Sequence, residues 1–308
     1  MDIIGKRLWF FIIGALLVLI CVISLATNGL TAGVEFSSGS IVNIGFDNDV
    51  DQDELKAELS NLGHSGALIQ LTGTGDFIIR TVELDDTAKN QLVSGLTARF
   101  GPNHVNEFDN VSSMVAGETA RNAAIAVAVA AVAMLLYIAW AFRKMPNPFR
   151  FGTCAIIGLV FDVIIALGVF SIIGGILGWE INLMFITGIL AVIGYSVNNT
   201  VIVFDRIREN VRRGVSTDFA ITTNNSIVET LNRSFNTSLT SLFTLLSLAL
   251  FVGSSIQNFV VVLIIGIISG IFCSTCLAPG LLVSWQKKEW GTLSGKDNDS
   301  ILVAKAKS

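Results

Sequence analysis

Six long apolar runs alternate with polar, charged segments along the 308 residues. They cover 8–27, 122–142, 151–173, 181–204, 233–253 and 259–285. Each holds about 20 residues or more, enough at ~1.5 Å of rise per residue to cross a bilayer core. The first run also reads as a signal-peptide core with a small-x-small site at Ser24-Leu25-Ala26, but signal cores run to about 7–15 residues. Its length favours a retained span.

One stretch breaks this rhythm. Between the first two runs the pattern alternates on a short scale. Residues 40–46 are β-like, and 51–62 have helical spacing, with Leu55, Leu59 and Leu62 on one stripe behind Asp51, Asp53 and Glu54. Residues 67–71 and 77–82 are short β runs around Thr72-Gly73-Thr74-Gly75-Asp76, which lacks the phosphate-loop pattern and reads as a hairpin turn. Residues 85–100 are helical through Leu92, Leu96 and Phe100, and 105–111 form a last strand. The order β-α-β-β-α-β is the split βαβ, ferredoxin-like pattern. The expected fold is therefore an α-helical membrane protein with six transmembrane helices and one ferredoxin-like α+β domain between helices one and two. The division is 1–28, 29–121, 122–285 with a polar connection at 205–232, and a polar tail at 286–308 expected to be disordered.

Charge gives the orientation. Only 14% of residues are charged, against about 25% in soluble domains. Residues 29–121 hold 14 acids and five bases, a net of −9, while the rest holds ten acids and 15 bases, a net of +5. With both termini inside, Lys6, Arg7, Arg143, Lys144, Arg150, the 206–213 arginines, Lys287 and Lys288 all fall on one face of the membrane, as positive-inside distribution requires. Residues 29–121 are then extracytoplasmic. Trp9, Trp140, Trp179 and Trp285 sit at span ends, where interfacial tryptophans belong.

Against that background a few polar residues stand out. Asp162 lies 11 residues into the third span, about 16 Å deep, where a charged Asp costs at least ~2.5 kcal/mol. Asn198, Asn199 and Thr200 lie about a turn before Asp205, Arg206 and Arg208, which read as the cytoplasmic stop of the fourth span. Arg233 opens the fifth span, and Thr237, Thr240 and Thr244 follow on one stripe. These residues predict a polar path between spans three, four and five. The rival is helix-to-helix hydrogen bonding with Arg233 snorkelling to the interface. Gly266 and Gly270 read as close-packing sites on span six. Cys273 and Cys276 read as small apolar helix residues, and His64 and His104 lack a third ligand at metal spacing. No nucleophile–base pair, metal-ligand cluster or nucleotide loop appears, so no enzyme, cofactor, metal or nucleic-acid partner is expected.

VIGYSVNNTVIVFDRIRENVRRG at 192–214, SIVETLNRSFNTSLTSL at 226–242, GLTAGVEFSSGS at 29–40 and GLVFDVIIALGVFSIIG at 158–174 resemble the SecF family of protein-export membrane subunits of the bacterial Sec translocase. The resemblance covers nearly the whole chain. It implies a half-unit of the resistance-nodulation-division type. It implies pairing with SecD beside the SecYEG channel in membrane lipid, and use of the proton gradient to draw an exported unfolded polypeptide outward. Arg233 matches the family's span-five arginine. Two positions depart from the family pattern. Asn198-Asn199 stands where Asn-Asp is common, and an amide cannot titrate. Gly33-Val34-Glu35-Phe36-Ser37-Ser38-Gly39 stands where G-[IV]-D-F-x-G-G is common. The resemblance thereby points to Asp162, or to SecD, for the titrating carboxylate. An extracytoplasmic sensor or scaffold and a half-size exporter are the other classes open to the chain.

Overall fold

The computed structural model describes residues 2–72, 75–143, 147–251 and 256–287. The tail expected at 286–308 lies outside the described residues from position 288 onward. Among the described residues, six helices are long and apolar enough to cross a membrane: Ile4–Thr27, Ser113–Phe142, Pro148–Leu177, Leu183–Arg213, Phe219–Phe251 and Gln257–Gln286. The chain divides into two compact units. One comprises residues 30–126 with 176–186, and the other the remainder.

In the first unit, α2 (Val34–Ser37) is a single helical turn. β1 (Gly39–Phe46), α3 (Gln52–Asn61), β2 (Leu68–Leu71), β3 (Phe77–Thr81), α4 (Asp86–Phe100) and β4 (Asn103–Val111) follow. The sheet is antiparallel in the order β2-β3-β1-β4, with a bulge at Asn43/Ile44 of β1 against β4. Alternation on β1 and β3 puts Val42, Ile44, Phe77 and Ile79 into one core with Leu55 and Leu59 of α3 and Leu92 and Leu96 of α4. Both helices start on an aspartate. Asp51 accepts from the amides of Asp53 and Glu54, and Asp85 from that of Ala88.

The second unit holds α1 (Arg7–Thr27), most of α5 (Ser113–Phe142), α6 (Pro148–Leu177) and α7 (Leu183–Arg213), and the whole of α8 (Phe219–Phe251). The sixth span is interrupted. α9 (Gln257–Phe272) passes through a π-helical turn at Cys273–Leu277 into α10 (Ala278–Gln286). Pro279 in the first turn of α10 has no N–H to give and crowds the preceding turn, and the wider turn absorbs the misfit. Close approaches set the packing. A Cβ on Gly266 would stand 2.2 Å from Val192, and one on Gly158 2.8 Å from Cys273 Sγ.

Residues 205–232 are not a loose connection. α7 continues to Arg213 and α8 begins at Phe219, leaving only 214–218 between them. Charge alone ended the apolar run. The helix survives it because Arg208 pairs with Asp205 and Arg206 with Glu209 at i,i+3 spacing, and Arg213 with Glu209 at i,i+4. Buried Asn210 donates to Ser226 at 3.0 Å and to Glu229 at 2.8 Å, and Arg206 reaches Glu229 at 2.6 Å, joining α7 to α8. Asp218 caps α8 by accepting from the Ala220 amide.

Candidate functional site

Asp162 falls half-way along the 30-residue α6 and is fully buried. Ser196 of α7 donates to its Oδ2 at 2.5 Å, and Ser269 of α9 donates to its Oδ1. Next to Ser269, Gly270 keeps the space beside the carboxylate open. A Cβ there would lie 3.8 Å from Asp162 Oδ2 and 4.0 Å from Asn199 Nδ2. Asn199 is 3% exposed, and its amide nitrogen has no hydrogen-bond partner among the described residues. No cationic side chain among the described residues forms an ion pair with Asp162. A carboxylate here is held by neutral donors, which can serve either protonation state because a hydroxyl also accepts.

The polar path expected between spans three, four and five is instead a cluster among spans three, four and six. Asn199 and Thr200 are buried on the inner face of α7, together with Ser196. Asn198 faces outward, on a groove of about 380 Å³ lined also by Ala133, Met134, Tyr137, Gly194 and Val197. Arg233 is the fifteenth residue of α8 rather than its start, and it is exposed. Thr237, Thr240 and Thr244 are exposed as well, and each hydroxyl bonds back to a carbonyl of its own helix. The helical spacing did put them on one stripe, but spacing alone cannot say which way a stripe faces. Tyr195 and Ser238, 2.7 Å apart, make a further polar link between α7 and α8.

Sequence reasoning missed Ser269, although it stands inside the Gly266–Gly270 segment read for its glycines. It also missed Glu180, the one charged residue between Asp162 and Asp205. Glu180 is 6% exposed and pairs with Arg80 of β3 at 3.2 Å. Burial pushes its carboxyl above the ordinary range, and the Arg80 charge offsets part of that rise. The first-loop motif sits in the same unit. Gly33 N–H donates to Ile181 O, Glu35 accepts from the Leu183 amide, and Phe36 is half-buried. Gly39 has φ +131°, and a Cβ there would press to 2.5 Å from Thr81 O, so glycine is required.

A family profile described as "Protein export membrane protein SecD/SecF, C-terminal" matches residues 94–288, which include Asp162, Ser196, Asn199 and Ser269. The chain belongs to the SecD/SecF family. Among SecF-named relatives, the "Protein translocase subunit SecF" of Anaerolinea thermophila is 37% identical over 294 residues, covering 94% of this chain and 96% of that protein. The one from Thermobaculum terrenum is 38% identical over 301 residues, covering 94% and 95%. A crystal structure of SecDF, a translocon-associated membrane protein from Thermus thermophilus, superposes with a TM-score of 0.83 at 27% identity over 93% of this chain. A second SecDF structure, in a super-membrane-facing form, gives 0.65 at 26%. This SecF-family chain spans about two-fifths of the SecDF chain, 38% of its length.

Proposed function

We propose that this multi-pass membrane protein is the SecF-type subunit of a Sec export complex, paired with a SecD-type half-unit beside the SecYEG channel. In this reading the proton gradient acts through Asp162, and its protonation shifts the position of the sheet unit as an exported unfolded chain is drawn outward. Family membership and the match to one part of the longer SecDF chain support the pairing. The positive-inside distribution supports an extracytoplasmic, ferredoxin-like unit at 29–121 with both termini cytoplasmic. Apolar side chains exposed along α1, α5 and α8 suit lipid or a partner bundle.

One observation carries the coupling role: a carboxylate at mid-span, fully buried, gripped by hydroxyls from two other helices and unpaired with any described cation. Ionising a group in such a place is expensive, so its charge state and the helix arrangement depend on each other. Asn199 cannot share the work, since an amide does not titrate. The test is Asp162→Asn in vesicles carrying the reconstituted complex. Gradient-dependent completion of export should fall to the level without a gradient, while the variant still assembles. Export that keeps its gradient dependence would remove Asp162 as the coupling group.

A further inference from the structure

The connection between α6 and α7 is pinned at three points, all within the sheet unit. Ala32 and Ile181 form a parallel bridge, in which Ile181 N–H donates to Thr31 O at 2.8 Å and Gly33 N–H donates to Ile181 O at 2.9 Å. A Cβ on Gly33 would stand 2.9 Å from Ile181 O, so a side chain there would force the two strands apart. Beside the bridge, Arg80 pairs with buried Glu180, and a second arm of the guanidinium donates to Gln70 Oε1 at 3.4 Å. Two residues beyond Ile181, α7 begins. Glu35 Oε2 accepts from the Leu183 amide at 2.5 Å, and Asn182 Oδ1 accepts from the Phe185 amide at 2.9 Å. Both amides are donors that a helix start leaves without intrahelical partners, and a carboxylate is favoured at that end of the dipole.

We propose that these contacts form a clasp that fixes the start of α7 to the sheet unit, with Arg80 and Glu35 as its positioning residues. The same helix carries Ser196 and Asn199 thirteen and sixteen residues after Leu183, about 20 and 24 Å along its axis. Arg80 from β3 faces Glu180, while Glu35 on α2 is turned to the Leu183 amide. Without Arg80 the buried Glu180 carboxylate would lose the cation 3.2 Å away, a change that favours undocking.

Hydrogen exchange on the full chain in detergent tests this directly, followed in peptides covering 30–36 and 178–186. Arg80→Gln should lower protection there by about tenfold or more near pH 8. Protection should return as the pH is lowered and Glu180 takes up a proton, and also near pH 8 in the double variant Arg80→Gln/Glu180→Gln. Glu35→Ala should loosen the Leu183 end alone. Amides pairing β1 with β3 should keep their protection throughout. Wild-type protection in Arg80→Gln would overturn the proposal. So would a double variant as exposed as the single one, or loss spread evenly over the sheet. None of these readouts depends on export, so loss of the Asp162 reading would leave the clasp standing.

Discussion

Gly266→Ala joins packing to the candidate site. The added Cβ would meet Val192 Cγ2 at 2.2 Å, Cγ1 at 2.6 Å and Cβ at 2.9 Å. Contact between carbon atoms is comfortable at ~3.5–4.0 Å, so the shortfall exceeds an ångström. Turning the valine does not cure it, because Val192 Cβ itself is too near. α7 and α9 must part, at a cost of about 1–3 kcal/mol for overpacking. Replacing a helical glycine by alanine returns about 1 kcal/mol, so the single variant ranges from near neutral to a loss of ~2 kcal/mol. The interaction term is more telling. In a Val192→Ala background the two methyl contacts at 2.2 and 2.6 Å disappear, only the 2.9 Å approach to Cβ is left, and the propensity gain remains. The cycle of Gly266→Ala with Val192→Ala should therefore show a favourable coupling of about 1–3 kcal/mol. Thermal unfolding of the four proteins in one detergent measures it as a few degrees of non-additivity. Val192 lies one turn from Ser196 and Gly266 one turn from Ser269, so the same separation should weaken the grip on Asp162 and slow gradient-dependent export. Strictly additive melting temperatures would refute the idea that this contact sets the spacing of the two helices.

Exchange protection at Ile181 and Leu183, corrected for intrinsic rates, should fall as pH rises. Burial holds the Glu180 carboxyl above its ordinary value, so the docked state binds the proton more readily than the undocked one. Its contribution is full below the ordinary carboxylate range and is lost as pH climbs through the raised value; Glu180→Gln should flatten the profile. Gly39→Ala should destabilise the sheet unit by several kcal/mol, on the order of the combined cost of a forced positive φ and a backbone clash, read as loss of protection in β1 and β3. Asp218→Ala removes the cap of α8 and the partner of Lys287 at 3.5 Å, and should cost about 0.5–2 kcal/mol in thermal unfolding.

The six spans were legible because lipid imposes long apolar runs that little else in a chain imitates. The small strands and helices between the first two spans were legible from a change of period, and aspartates marked both helix starts. The ends of α7 and α8 were not. A helix that leaves hydrocarbon and continues among charges looks, by hydropathy, like a connection. Only the spacing of Asp205 with Arg208 and of Glu209 with Arg206 and Arg213 hinted at its continuation. For the site, Asp162 announced itself by being costly, and Asn199 by its neighbours. Ser269 did not, because a serine is unremarked in a membrane helix until a carboxylate is found opposite it. Arg233 and Thr237 were placed on the right stripe and the wrong side, since the direction a stripe faces is decided by the other helices.

The wide turn at Cys273–Leu277 has a consequence for the alignment of parts. Such a turn houses one residue more than a regular helix would, and each residue added or removed swings everything beyond it by about 100°. With α10 anchored by Pro279, shortening the turn by one position would rotate α9 as a whole. Ser269 would then point away from α6, and an aliphatic neighbour would take its place against the buried acid. The compass bearing of that serine is thus dictated not by its own surroundings but by a surplus residue one turn further on.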